Sequence, residues 1–304
     1  MASFGDRLAA AVESKDSVVC VGLDPRWQSL PKRIIGNVDS ADLPAVAAAT
    51  ELYCREIIDS VASLAPVVKP QAAFFELLGP WGMQALYSVI QHARHAGMLV
   101  LLDAKRGDIG STAEGYADAY LGKESPWQCD ALTVNPYLGD DSVQPFIDVA
   151  NDVGAGVIVL VKTSNPGSGF LQDQQVGSVK VYEKMADMVQ AQALASCGAS
   201  GYGNIGAVVG ATYPHELSGL RNRMPNAWLL VPGFGAQGGQ AEDVAGGFDR
   251  RGGGAIVNSS RGIIFAYQKP EYSQSDWQDA VFQAAADMRE QLNQTRRSAG
   301  TKKI

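Results

Sequence analysis

Eight short, β-rich apolar runs punctuate the chain, at positions 18–23, 66–69, 98–103, 131–135, 157–162, 205–210, 228–231 and 255–258. Between them apolar residues return at helical spacing. Val46, Thr50, Tyr53, Ile57, Val61 and Leu64 form one such stripe, and Trp277, Val281, Ala284, Met288 and Leu292 form the last. Each strand is thus followed by a helix. Eight such units in 304 residues predict an α/β fold, a closed (β/α)8 TIM barrel, as a single domain over residues 1–304. The alternation by itself also accommodates an open doubly wound sheet. A hydrophobic content of 46% with 33 glycines fits one well-cored domain.

Composition removes several classes of function. No stretch approaches the roughly 20 consecutive apolar residues that cross a bilayer. The opening Met1-Ala2-Ser3-Phe4-Gly5-Asp6-Arg7 lacks the apolar core of a signal peptide, so a cytoplasmic protein without a membrane partner is expected. Cys20, Cys54, Cys129 and Cys197 are scattered singly, which argues against a zinc site, a redox pair or a disulfide framework and for buried free thiols. A net charge of −7 disfavours nucleic acid as a partner and means that an anionic ligand needs local cations. His92 and His95 fall on a predicted helix, as ordinary surface residues. The basic run within 296–304 reads as a frayed terminus.

In a barrel the chemistry gathers at the C-terminal ends of the strands, and polar residues gather there in this sequence. The first strand leads into Asp24, the second into Lys69, the fifth into Thr163, Ser164 and Asn165, and the eighth into Ser260 and Arg261. The third is the richest: Leu101-Leu102-Asp103-Ala104-Lys105-Arg106-Gly107-Asp108 places two carboxylates and an ammonium at the end of an apolar strand. The period of two points Asp103 and Lys105 to one side. Ser111 to Glu114 matches a capping box that would open the following helix. Lys69, Asp103, Lys105 and Asp108 are expected to form a chain of ion pairs, costly to bury and therefore better explained by catalysis than by stability. Glycines around Gln237 after the seventh strand, with Arg261 after the eighth, make a phosphate site at the place where barrels commonly bind phosphate. The glycine-bearing loop 164–177 suits a lid or an ordinary mobile loop. No histidine lies near a strand end to activate a serine. Metal catalysis by the two aspartates competes with positive charge already supplied by Lys69 and Lys105.

Asp103-Ala104-Lys105-Arg106-Gly107-Asp108-Ile109, together with Gly22-Leu23-Asp24, Lys69, the Pro232 to Gln237 segment and Ser260-Arg261, resembles the orotidine 5'-phosphate decarboxylases of the longer bacterial type over most of the chain. The resemblance implies a barrel enzyme that converts orotidine 5'-monophosphate to uridine 5'-monophosphate and carbon dioxide, the last step of de novo pyrimidine synthesis, without a cofactor or metal. It further implies that Lys105 protonates ring C6, that Asp103 lies against the substrate carboxylate, and that Lys69 and Asp108 hold both in place. Asp24 is implied for the ribose, Ser164 for the pyrimidine, with Thr163 and Asn165 as alternatives, and Gln237, Ser260 and Arg261 at the phosphate end. Asp108, Ile109 and Thr112 are implied to enter the neighbouring subunit's site, which makes the partner a second copy of the chain in a homodimer. The alternative is a magnesium-dependent sugar-phosphate decarboxylase or aldolase of the same barrel group, in which a carboxylate stands where Lys69 stands here. A non-catalytic phosphate-ligand sensor would need the pocket but not the four charges.

Overall fold

The computed structural model of the chain describes residues 2–211, 214–234, 240–272 and 274–301. Eight parallel strands close on themselves: β1 (Val19–Leu23), β2 (Val67–Pro70), β3 (Leu99–Arg106), β4 (Ala131–Val134), β5 (Gly156–Lys162), β6 (Ile205–Val209), β7 (Leu229–Pro232) and β8 (Ala255–Ser259). β1 is paired on one side with β2, Gly22 opposite Lys69, and on the other with β8, Val21 opposite Ser259. This closure decides between the two architectures that the alternation allowed. The strands are short and apolar because both faces are covered: β1, β2, β4, β6 and β8 are buried at every position.

The outer layer comprises α2 (Leu43–Val61), α3 (Gly79–His95), α4 (Gly110–Tyr120), α5 (Asp140–Val153), α6 (Val181–Ala195), α7 (Pro214–Arg223) and α8 (Trp277–Thr301), which follow α1 (Phe4–Lys15). α1 precedes the first strand and seals the N-terminal end of the barrel. Ser3 caps it by accepting from Asp6 N, and Phe4, Leu8 and Val12 repeat every fourth residue on its buried face. Phe4 packs so closely on β5 that a Cβ at Gly156 would lie 2.4 Å from its ring, and Trp228 Nε1 donates to Gly5 O at 3.2 Å. With that end closed, the open end is the one where the strands finish.

Four sequence expectations change in detail. β3 runs to Arg106 rather than stopping at 103, with a register shift against β4 between Leu102 and Arg106. The capping box does not form: α4 begins at Gly110, Ile109 is its N-cap, and no side chain caps it. Gly110, at φ 52°, turns the chain into the helix two residues earlier than that box requires. Arg296 and Arg297, in the run expected to fray, lie in α8 and pair with Asp16, the latter at 2.8 Å; residues 302–304 lie outside the described residues. Cys20, Cys54 and Cys129 are buried free thiols, but Cys197 is exposed. His92 sits on α3 and bonds Asp59 at 2.7 Å.

Barrel closure leaves little slack where β6 meets β7. A Cβ at Gly206 would stand 2.5 Å from Trp228 O and 2.8 Å from Ile158 Cδ1. Gly206→Ala is therefore expected to destabilise the fold by about 1–3 kcal/mol through overpacking, measured as a lower urea midpoint with an unchanged slope.

Candidate active site

The end of β3 carries the centre of the site. Asp103 is buried, and its carboxylate receives four donors: Lys69 Nζ (2.7 Å) and Gln71 Nε2 (3.0 Å) on Oδ2, Lys105 Nζ (2.6 Å) and Thr133 Oγ1 (3.0 Å) on Oδ1. Thr133 Oγ1 also accepts from Lys105 N at 2.9 Å, so one hydroxyl fixes both the carboxylate and the backbone of the lysine. Lys105 has φ 47°, a left-handed conformation that a lysine rarely adopts. Such backbone costs on the order of 1–3 kcal/mol and persists where the surroundings over-determine it. The register shift and the Thr133 bond are those surroundings. Simple strand alternation would have put Lys105 on the side of Asp103; the structure reaches that outcome through a distorted backbone.

Burial pushes the Asp103 carboxyl upward, but the Lys69 and Lys105 ammoniums outweigh it and hold the group well below the ordinary aspartate value of 3.8. Burial likewise works against the Lys69 ammonium, and the fields of Asp103 and Asp24 more than offset it, so Lys69 stays charged. Lys69 is enclosed, whereas the Lys105 side chain is 46% exposed and reaches into the cavity.

Asp108 does not complete the expected chain of ion pairs. Its Oδ1 accepts from Ile109 N at 2.8 Å, and it forms no salt bridge among the described residues. Three charges, not four, are joined within one chain. Ile109, 58% exposed, and Thr112, in the first turn of α4, are also exposed and do not line the cavity.

A cavity of about 830 Å³ opens over the strand ends. Asp24, Ser164, Ser260 and Arg261 line it beside Lys69, Asp103 and Lys105. Asp24 Oδ1, Asn258 Oδ1 and Ser260 Oγ are buried and have no hydrogen-bond partner among the described residues. Three unsatisfied polar atoms around one cavity suit a ligand rich in hydroxyls and amides, because a buried polar group without a partner costs roughly 1–3 kcal/mol. Gly22 makes their clustering possible: a Cβ there would lie 2.3 Å from Ser260 Oγ and 3.1 Å from Asn258 Oδ1. Arg261 opens the short helix Arg261–Ile264 and supplies a guanidinium at the cavity wall. Gln237 and its glycines lie outside the described residues. The loop 164–177 contains the 3-10 turn Pro166–Phe170 and enters a small hairpin of Gln175–Val176 with Val179–Lys180.

Sequence reasoning placed Gln71 and Asn258 at strand ends without giving them a role, and it missed Thr133. The signal for Gln71 was its place two residues after Lys69, on the same side of the chain. Thr133 carried none, since its role depends on the register between β3 and β4. Among the described residues, no three His, Cys, Asp or Glu side chains come together as a metal-ligand set.

The depressed Asp103 pKa has a consequence for acid stability. Its share of the stability is complete above the unfolded value near 4 and is lost as pH falls through that window toward the folded value. Asp103→Asn is expected to flatten the fall in urea-unfolding free energy between about pH 5 and pH 3. A slope equal to that of the parent protein would contradict the assignment.

Comparison with known proteins agrees with this geometry. The sequence profile of the orotidine 5'-phosphate decarboxylase / HUMPS family matches residues 17–274. The orotidine 5'-phosphate decarboxylase of Rhodopirellula baltica is 54% identical over 300 residues, covering 96% of this chain and 99% of that one. That of Haloarcula marismortui is 44% identical over 292 residues, with 96% and 97% covered. The solved structure of Leishmania donovani OMP decarboxylase superposes with a TM-score of 0.76 at 35% identity, covering 97% and 98% of the two chains. With a profile match over most of its length and relatives this similar end to end, the chain belongs to the orotidine 5'-phosphate decarboxylase / HUMPS family.

Proposed function

We infer that the cavity over the strand ends is where orotidine 5'-monophosphate loses its carboxylate, giving uridine 5'-monophosphate and carbon dioxide in pyrimidine biosynthesis. The observation that carries this reading is the Asp103 carboxylate bonded to two ammoniums at 2.7 and 2.6 Å on the wall of a nucleotide-sized cavity.

Breaking the bond to C6 leaves an electron pair in the plane of the ring, where the π system cannot spread it. The demand on the protein is on the order of 20 kcal/mol. Asp103, kept anionic by its two lysines, stands beside the substrate carboxylate and opposes it in the ground state. That repulsion disappears as carbon dioxide leaves. Lys105 faces C6, attracts the growing negative charge and transfers one ammonium proton to it, so that the pair left by the broken bond becomes a C–H bond. The repulsion weakens and the attraction grows on the way to the transition state, so both favour it over the bound substrate, which is the condition for raising the rate. Lys69 holds Asp103 and reaches toward the ribose, whose hydroxyls Asp24 accepts. Ser164 meets the pyrimidine, with Thr163 and Asn165 beside it. Arg261, Ser260 and Gln237 take the phosphate. No metal or cofactor enters the scheme, because the Lys69 ammonium already supplies the cationic neighbour that a magnesium ion would offer Asp103. The same ammonium disfavours the magnesium-dependent alternative.

Asp108, Ile109 and Thr112 act in the site of a second copy. In support, Asp108 stands outside its own chain's ion-pair cluster, and Ile109 is exposed next to it. The working unit is accordingly a homodimer of single-domain subunits with shared sites. A cytoplasmic location fits three buried thiols without a disulfide partner. No described helix is long and apolar enough to cross a membrane.

Three experiments test the assignment. Lys105→Ala is expected to lower kcat by at least about a thousandfold while calorimetry still detects product binding. Mixing it with Asp108→Ala, also inactive alone, is expected to restore about a quarter of wild-type activity, since half of the dimers are mixed and each holds one intact site. Mixtures that stay inactive would refute shared sites. Arg261→Ala should slow turnover of the full nucleotide at least about tenfold more than turnover of the nucleoside lacking phosphate; equal losses would remove Arg261 from the phosphate site.

A further inference from the structure

Lys162 ends β5 yet takes no part in the Asp103 cluster. Its side chain is 2% exposed, its Nζ lies 2.6 Å from Asp173 Oδ1 and 3.7 Å from Glu216 Oε2, and it stands 5.1 Å from the centre of the Tyr182 ring. Among the described residues three elements converge on this one ammonium: the segment after β5 through Asp173, α7 through Glu216 and α6 through Tyr182. Lys180 of the small hairpin adds a second cation 3.9 Å from the same Asp173 oxygen. Apolar packing of equal volume would serve stability as well as a buried ion pair, or better. A charge kept there points to control of geometry.

What it controls is adjacent in the chain. Thr163, Ser164 and Asn165 follow Lys162 directly and line the cavity. Gln172, the neighbour of Asp173, turns back on them: its Oε1 accepts from Thr163 N at 3.0 Å and its Nε2 donates to Thr163 Oγ1 at 2.8 Å. Thr163 Oγ1 in turn donates to Asn165 Oδ1 at 2.6 Å. From behind, β6 presses on the same wall. Gly210 N donates to Lys162 O at 2.8 Å, and a Cβ at Gly210 would lie 2.8 Å from that of Ser164. The wall and the loop that folds over it are therefore tied twice in succession, by Lys162 to Asp173 and by Thr163 to Gln172.

We propose that Lys162 is a positioning residue for substrate binding: through Asp173 and Glu216 it pins the loop bearing Gln172, which sets the 163–165 wall of the cavity before the nucleotide arrives. The inference rests on the reading that this wall meets the pyrimidine. A contact made equally in ground and transition states governs KM rather than kcat, and the clamp should show that signature.

Steady-state kinetics with orotidine 5'-monophosphate decide the matter. Lys162→Met is expected to raise KM about tenfold or more while kcat stays within about threefold. The double variant with Asp173→Asn should bind no more weakly than Lys162→Met alone, because both changes break one link. A Lys162→Met enzyme with a lower Tm but a wild-type KM overturns the proposal, and so do additive losses in the double variant. Should Lys162→Met fail to fold, Asp173→Asn decides: a KM raised about threefold or more supports the clamp, and an unchanged KM overturns it. Ser164→Ala separates the clamp from the reading beneath it. Normal KM there beside a raised KM in Lys162→Met moves the base contact to Thr163 or Asn165 and leaves the clamp standing.

Discussion

The carboxylate of Asp103 is the point on which the active end of this barrel depends. It is the anion that lets Lys69 remain charged away from water, and the two lysines are what keep it an anion. Removing Asp103 would leave the enclosed Lys69 ammonium with only the field of Asp24 to support it, and removing Lys69 would leave the buried carboxylate the half-exposed Lys105 as its one counter-ion in the cluster. The neutral donors Gln71 and Thr133 occupy the remaining acceptor positions, so the carboxylate has no freedom to rotate toward or away from a ligand. An electrostatic catalyst needs that fixity, because dipoles and charges that must reorganise during the reaction give back much of what they contribute.

The fixity is inherited from the barrel. Asp103 and Lys105 stand on β3, Lys69 on β2 and Thr133 on β4, three adjacent strands whose registers set the distances between them. The far end is closed by α1, with Phe4 wedged against Gly156, which leaves the strand ends as the place where a cavity can open. Beside that cluster, where β1 meets β8, Asp24, Asn258 and Ser260 line the same cavity, and the absence of a side chain at Gly22 leaves room for Asn258 and Ser260. A charged group and a set of polar groups thus adjoin in one space. That division matches a substrate with an ionised base at one end of its sugar.

Where the barrel yields, it yields beside the cavity. The left-handed backbone of Lys105 and the register shift beside it lie next to the Asp103 cluster. A second irregularity, between Leu160 and Lys162 in the pairing of β5 with β6, lies just before the 163–165 wall. Bulges of this kind re-aim side chains at the rim of a barrel. Both distortions are supported by bonds that would have no purpose in a regular sheet.

The sequence by itself determined the eight strands, the strand ends that matter and the identity of the charged residues, because apolar periodicity reports which faces are buried and an ionisable residue closing an apolar run has few structural uses. Between β7 and β8 the helix expected after every strand is reduced, among the described residues, to the 3-10 helix Glu242–Gly247. All eight strands lie within about three residues of their predicted limits. Only tertiary structure decided the rest. Closure of the sheet depends on β1 meeting β8 across more than 200 residues, which no local pattern encodes. Gln71 and Thr133 became partners of Asp103 through register, and the failed capping box at Ser111 shows a local signal overruled by the turn at Gly110. Asp108 marks the boundary most clearly: its spacing in the motif placed it with the other three charges, but the backbone after β3 turns it away from them, and spacing alone does not fix the direction of a side chain once the strand has ended.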